Sequence, residues 1–87
     1  MALSNGAITV GTVATLITTC GPNPGTLHIS NIDNTDTIFI GDSSVAVNAG
    51  HVLPKSATEF FTVYSGQQIF AISTKAGHAV SFFLVTP

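Results

Sequence analysis

Arginine and tryptophan are missing from the 87 residues, cysteine and tyrosine occur once each, and charge of either sign is scarce. Charged side chains make up 7% of the chain: Lys55, Lys75, Asp33, Asp36, Asp42 and Glu59. An ordinary soluble domain carries about 25%. Two lysines cannot neutralise the run of phosphates that a nucleic acid presents, so nucleic-acid binding is excluded. No apolar run approaches the roughly 20 residues of a spanning helix, which removes a helical membrane anchor. A lone Cys20 permits no internal disulfide and no cysteine-rich zinc centre. The first residues lack the basic and apolar regions of a secretory signal, so synthesis in a cytoplasm, without disulfides, is expected.

What remains is rich in β-formers. Hydrophobic residues reach 45%, and 28 residues are Val, Ile or Thr. Branched side chains lose rotamer freedom in a helix and pack well on a pleated sheet. Leu27 and Ile29 alternate with His28 and Ser30, and Val80, Phe82 and Leu84 alternate with Ser81, Phe83 and Val85. Val13, Leu16, Ile17 and Cys20 have helical spacing, but the threonines at 12, 15, 18 and 19 favour a strand. Gly21-Pro22-Asn23-Pro24-Gly25 must be a loop, and Asp33-Asn34-Thr35-Asp36, Ser65-Gly66 and Lys75-Ala76-Gly77-His78 read as turns. Strands are therefore expected near 7–11, 13–19, 26–32, 37–41, 51–54, 58–64, 68–74 and 79–86. That makes one domain over 1–87, an all-β antiparallel sandwich or compact barrel, with 1–6 a flexible N-terminal arm.

Catalytic chemistry has little to stand on. His28, His51 and His78 are scattered, without His-x-His or His-Glu-x-x-His spacing, and no phosphate loop or nucleophile elbow occurs. His28 is expected to face solvent from its strand, His78 to be exposed in a turn, and Cys20 to sit in the core. The oxygen-rich 33–36 segment lacks the glycine and terminal Glu of a calcium loop and reads as a turn. The expectation is a non-enzyme that needs neither metal nor cofactor.

Surplus apolar surface points elsewhere. The terminal strand 79–85 carries large apolar groups on both faces, where a half-exposed strand should alternate with polar ones. Phe60 and Phe61 are adjacent, so one must point away from the core. With Phe39, these residues are candidates for an exposed patch and hence an interaction surface. A domain this small buries only about 60–65% of its unfolded surface, so neighbouring subunits are expected to supply stability.

The stretch from Leu27 to Val85 resembles small β-rich structural proteins of tailed bacteriophages, including capsid decoration proteins. The resemblance is carried by Leu27-His28-Ile29-Ser30-Asn31, Thr37-Ile38-Phe39-Ile40-Gly41, Val45, Gly50 and Leu53-Pro54. It continues through Glu59-Phe60-Phe61, Gly66, Ile69-Phe70-Ala71-Ile72, Gly77 and the strand Val80 to Val85. Lys55 stands where a glycine often follows the proline. The resemblance implies a virion component, on head or tail, and the leading expectation is a protein on the capsid surface that binds the major capsid protein lattice and stabilises it. The alternative is a tail-tip or fibre module recognising a host glycan or protein. A homotrimer is expected, matching local three-fold positions on a shell, with Phe39, Phe60, Phe61 and Phe83 at the interface.

Overall fold

Period-two alternation gives each strand an inner and an outer face, and two such sheets bury their inner, apolar faces against each other. The computed structural model describes residues 2–32, 37–47, 49–75 and 77–86. Eight strands form: β1 (Ala2–Val10), β2 (Thr15–Thr19), β3 (Gly25–Asn31), β4 (Ile38–Gly41), β5 (His51–Leu53), β6 (Thr58–Val63), β7 (Gln68–Ser73) and β8 (His78–Thr86). All pairings are antiparallel, in one sheet ordered β1-β8-β3-β6 and another ordered β2-β7-β4-β5. That order is a double-sheet jelly roll, so the expected sandwich is what the chain builds.

Each expected strand has a counterpart. The largest shift is at the start: residues 2–6, read as an arm, extend β1 and pair with β8 from Ala2↔Thr86 onward. The turn and calcium readings of 33–36 fall outside the described residues.

Leu27, Ile29, Val63, Val80 and Leu84 from the first sheet meet Ile17, Ile38, Ile40, Leu53 and Ala71 from the second. Val10 and Cys20 close the ends of this layer, and Ile8, Phe61, Ile69 and Phe82 pack around its rim. Asn31, at the end of β3, is buried and bridges the layers: its amide nitrogen donates to the Leu53 carbonyl at 3.2 Å. Where β3 starts, a Cβ on Gly25 would run into the Val85 carbonyl oxygen, so the β3–β8 approach needs glycine.

A second, smaller cluster lies on the outside of the β2-β7-β4-β5 sheet. Phe39 and Ile72 face outward there, and Val45 folds over them, with Ala14 and Phe70 alongside. Val45 is delivered by a turn whose closing bond runs from its N–H to the Asp42 carbonyl at 3.0 Å. This covering is why Phe39, expected at an interface, is 94% buried within its own chain.

The turn between β5 and β6 carries local strain. Ala57 N–H donates to Pro54 O at 3.1 Å, and Ser56 sits at φ 60°. That conformation costs a non-glycine residue about 1–2 kcal/mol, against about 0.5–1 kcal/mol for the extra entropy glycine loses on folding. Ser56→Gly should therefore raise stability by roughly 0.5–1 kcal/mol. A denaturant midpoint that stays put or falls would contradict this account of the turn.

Candidate assembly surface

The outer faces of the two sheets differ. Val45 and its loop cover part of the β2-β7-β4-β5 sheet. Across the β1-β8-β3-β6 sheet, cross-strand register lines up Asn5, Phe83, His28 and Phe60 in one row. Their side chains share the outer face because Leu27, Ile29 and Leu84, one position along, point into the core. The Phe60 ring stacks on the His28 imidazole with centroids 4.3 Å apart and planes 25° apart, and Phe83 meets the imidazole edge-on at 5.9 Å. Phe60 remains 65% exposed and Phe83 38%. A parallel row pairs Leu3 with Val85, and Leu3 is also exposed.

The four residues named from sequence thus separate. Phe60 and Phe83 are exposed side by side on one face. Phe61 points inward, half-buried against the core, with its ring edge-on to His51 at 4.9 Å. Phe39 is covered by Val45. His28, expected merely to face solvent, is half-buried as the middle of the aromatic row. Cross-strand position was the signal for that, and it needs the strand order that sequence alone left open. Leu3 was missed because 1–6 read as an arm.

Other chemistry is dispersed. Among the described residues no group of three or more His, Cys, Asp or Glu could hold a metal ion. His78, expected to be exposed, is buried at the start of β8. Cys20 is buried, and its thiol donates to the Asn23 carbonyl at 3.1 Å, as a core cysteine would. A groove of about 480 Å³ runs between β6 and the second sheet, lined by Ile40, His51, Phe61, Gln67, Ile69 and Phe70. At its rim His51 Nε2 lies 3.9 Å from Glu59 Oε1, with both side chains half-exposed.

Asp42 accepts from the Ser44 hydroxyl at 2.6 Å and from the Ser44 N–H at 2.9 Å. The hydroxyl bond first, then the backbone one, holds its carboxyl below the ordinary carboxylate pKa. These bonds fix the turn that carries Val45.

The strand order suits many functions, since jelly rolls serve as capsid and lectin domains among others. No protein-family model matches the chain. No curated protein matches it either. Among solved structures it is similar to one from Bacillus, described by the words "Bacillus endospore appendages form a novel family of disulfide-linked pili". The TM-score is 0.56 with 16% sequence identity, over 98% of this chain and 87% of that one. The likeness establishes the fold alone. The capsid-decoration reading is corrected at this point, because the structure that shares the fold is described as a bacterial spore appendage and not as a capsid or tail-tip component. The comparison gives no support to a capsid lattice partner or a shell-matched trimer. What stands of the phage resemblance is a small β-rich fold of a kind found in structural proteins.

Two predictions follow from the contrast between the faces. Phe39→Ala should cost about 3 kcal/mol or more, as buried aromatics do, whereas Phe60→Ala should lose only its cross-strand stacking, within about 1 kcal/mol, in the isolated chain. Equal losses in thermal melts would refute the facing assignment. For Asp42, a lowered folded pKa means stability present above the unfolded value of about 3.9 and lost as pH falls through the folded one. Asp42→Ala should therefore lose stability at pH 7 and show less further loss on acidification than wild type, measured by melts at pH 7 and pH 3.

Proposed function

We propose that the chain is a non-enzymatic structural subunit that polymerises into a surface appendage. The observation that carries this is the condition of its sheet edges. β1 and β6 bound one sheet, β2 and β5 the other. Natural proteins protect such edges with lysine, proline, inward charges or strong bulges, because unpaired backbone groups recruit another strand. These four strands contain no lysine and no proline, and their single acidic residue, Glu59, lies on the inner side of β6 beside His51, so the β6 edge has one inward charge and the β1 edge has none. β1 runs for nine residues without a charge. A bulge between Leu16 and Thr18 blunts β2, and β5 is only three residues long, so the longer edges are those of the first sheet.

The two edges of a sheet lie on opposite sides of the subunit. A copy that adds at one edge offers its other edge to the next, and such head-to-tail contact grows an open fibre. The shared fold with a pilus protein supports the same reading. The linkage differs, though. One cysteine per chain can join two copies at most, and Cys20 is buried, so growth proceeds through backbone pairing and apolar contact.

Negative-stain microscopy of concentrated protein should show fibres that survive a thiol reductant. Ser4 lies exposed on β1 on the core-facing side of the strand, and Ser4→Lys places an edge charge there of the kind that blocks strand addition. It should abolish fibres while leaving the β signature in circular dichroism. Wild-type protein that stays monomeric at high concentration, or fibres that dissolve in reductant, would overturn the proposal.

A further inference from the structure

Edge-to-edge growth leaves the aromatic face of the first sheet uncovered. We infer that this face pairs with the same face of a second copy, about a two-fold axis running along the strands. The inference does not depend on fibre growth, since it uses a different surface.

Charge is the first reason to choose a second copy. Strand register puts no Asp, Glu or Lys on this face; Glu59 occupies the opposite face of β6, toward His51. An acidic or basic partner would find no counter-charge, and its own charges would be desolvated without compensation. The matching chemistry is a flat, uncharged surface with hydroxyl and aliphatic groups, which is what the face itself offers.

Shape is the second. Relief on the face is lopsided: the β6 end stands high with Phe60 stacked on His28, while β1 is low in the same row, with Asn5 and Ala7, and rises again only at Leu3. A two-fold axis along the strands exchanges the β6 and β1 ends. Phe60 of each copy then lies over Asn5 and Ala7 of the other, filling low ground with high. Any self-complementary patch of this kind closes as an isologous dimer.

Area is the third. The sheet has four strands, and its inner strand β3 has seven residues. At about 4.8 Å between strands and about 3.3 Å per residue, the face measures about 19 Å by 23 Å. Allowing for side-chain relief, two such faces remove about 1,000 Å² from water, which is the threshold for a specific interface. Sheets pack face to face about 10 Å apart, close enough to bury Phe60 from both sides.

The test uses the Ser4→Lys chain, in which edge growth is blocked and lateral pairing can be read alone. Sedimentation equilibrium at micromolar concentration should show a dimer. Phe60→Asp and, separately, Thr26→Asp on the same face should each weaken the dimer at least about tenfold, because a charge is buried without a partner. Circular dichroism and melting confirm that each variant folds, and either one suffices. A Ser4→Lys protein that is monomeric throughout, or a dimer that survives both aspartates, would overturn the inference. So would a monomer that binds neutral phosphatidylcholine vesicles through Phe60, which would give the face to a lipid surface. Loss of fibres with retention of the dimer, or the reverse, separates this contact from the edge contact.

Discussion

One interlayer serves the whole chain, and that limit shapes everything outside it. Two four-stranded sheets enclose a single apolar layer, so each strand can bury one face in it and no more. Leu27, Ile29, Ile38, Leu53 and Val80 lose all their exposure there. A chain that is 45% hydrophobic has more apolar groups than this layer holds. The remainder must be covered by loops or left on the surface. The second sheet takes the first course in its middle, folding Val45 over Phe39 and Ile72, and among the large apolar side chains of its described strands leaves only Leu16 and Val52, on the outer two, exposed. The first sheet takes the other, and its outer face carries Phe60, Phe83 and Leu3 in the open.

This asymmetry ties local chemistry to assembly. The Asp42–Ser44 hydrogen bonds are small surface features, yet they hold the turn that brings Val45 down on Phe39. No comparable loop crosses the aromatic row on the first sheet among the described residues. Its rings instead lean on one another across strands, His28 between Phe60 and Phe83. Cross-strand contacts of that sort stabilise a sheet without hiding it from water. The subunit can thus be folded and still have apolar surface to bury against another copy.

Much of the fold was legible in the chain because alternation is a strong local signal. Leu27/Ile29 and Val80/Phe82/Leu84 identify their inner faces directly, and the Gly-Pro-Asn-Pro-Gly loop separates β2 from β3. Alternation also required one of Phe60 and Phe61 to face out. It could not say that Phe39 would be roofed by a loop from its own chain, because that depends on where the turn from Asp42 to Val45 folds back. His78 was misread for a similar reason: it follows a turn glycine, but β8 begins at His78 itself and buries it. β1 was shortened because Ser4, Asn5 and Gly6 look like a polar arm, and only pairing with β8 makes them a strand. The assembly reading moved further still. The surplus of apolar groups is present on the surface as Phe60, Phe83 and Leu3, whereas the capsid function rests on family resemblance alone, and the structure sharing the fold is a spore appendage protein instead.

The pairing of β1 with β8 has a mechanical consequence. Ala2 sits opposite Thr86, so both ends of the described chain leave from the same end of one antiparallel ladder. Tension applied between those ends would load the rungs one at a time, opening the ladder as a zipper. Ladders resist far better when pulled lengthwise, because all rungs must then break together. A filament of these subunits would therefore be weak if strung together through its chain ends. It would be strong where load crosses from sheet edge to sheet edge, with the rungs sharing the force.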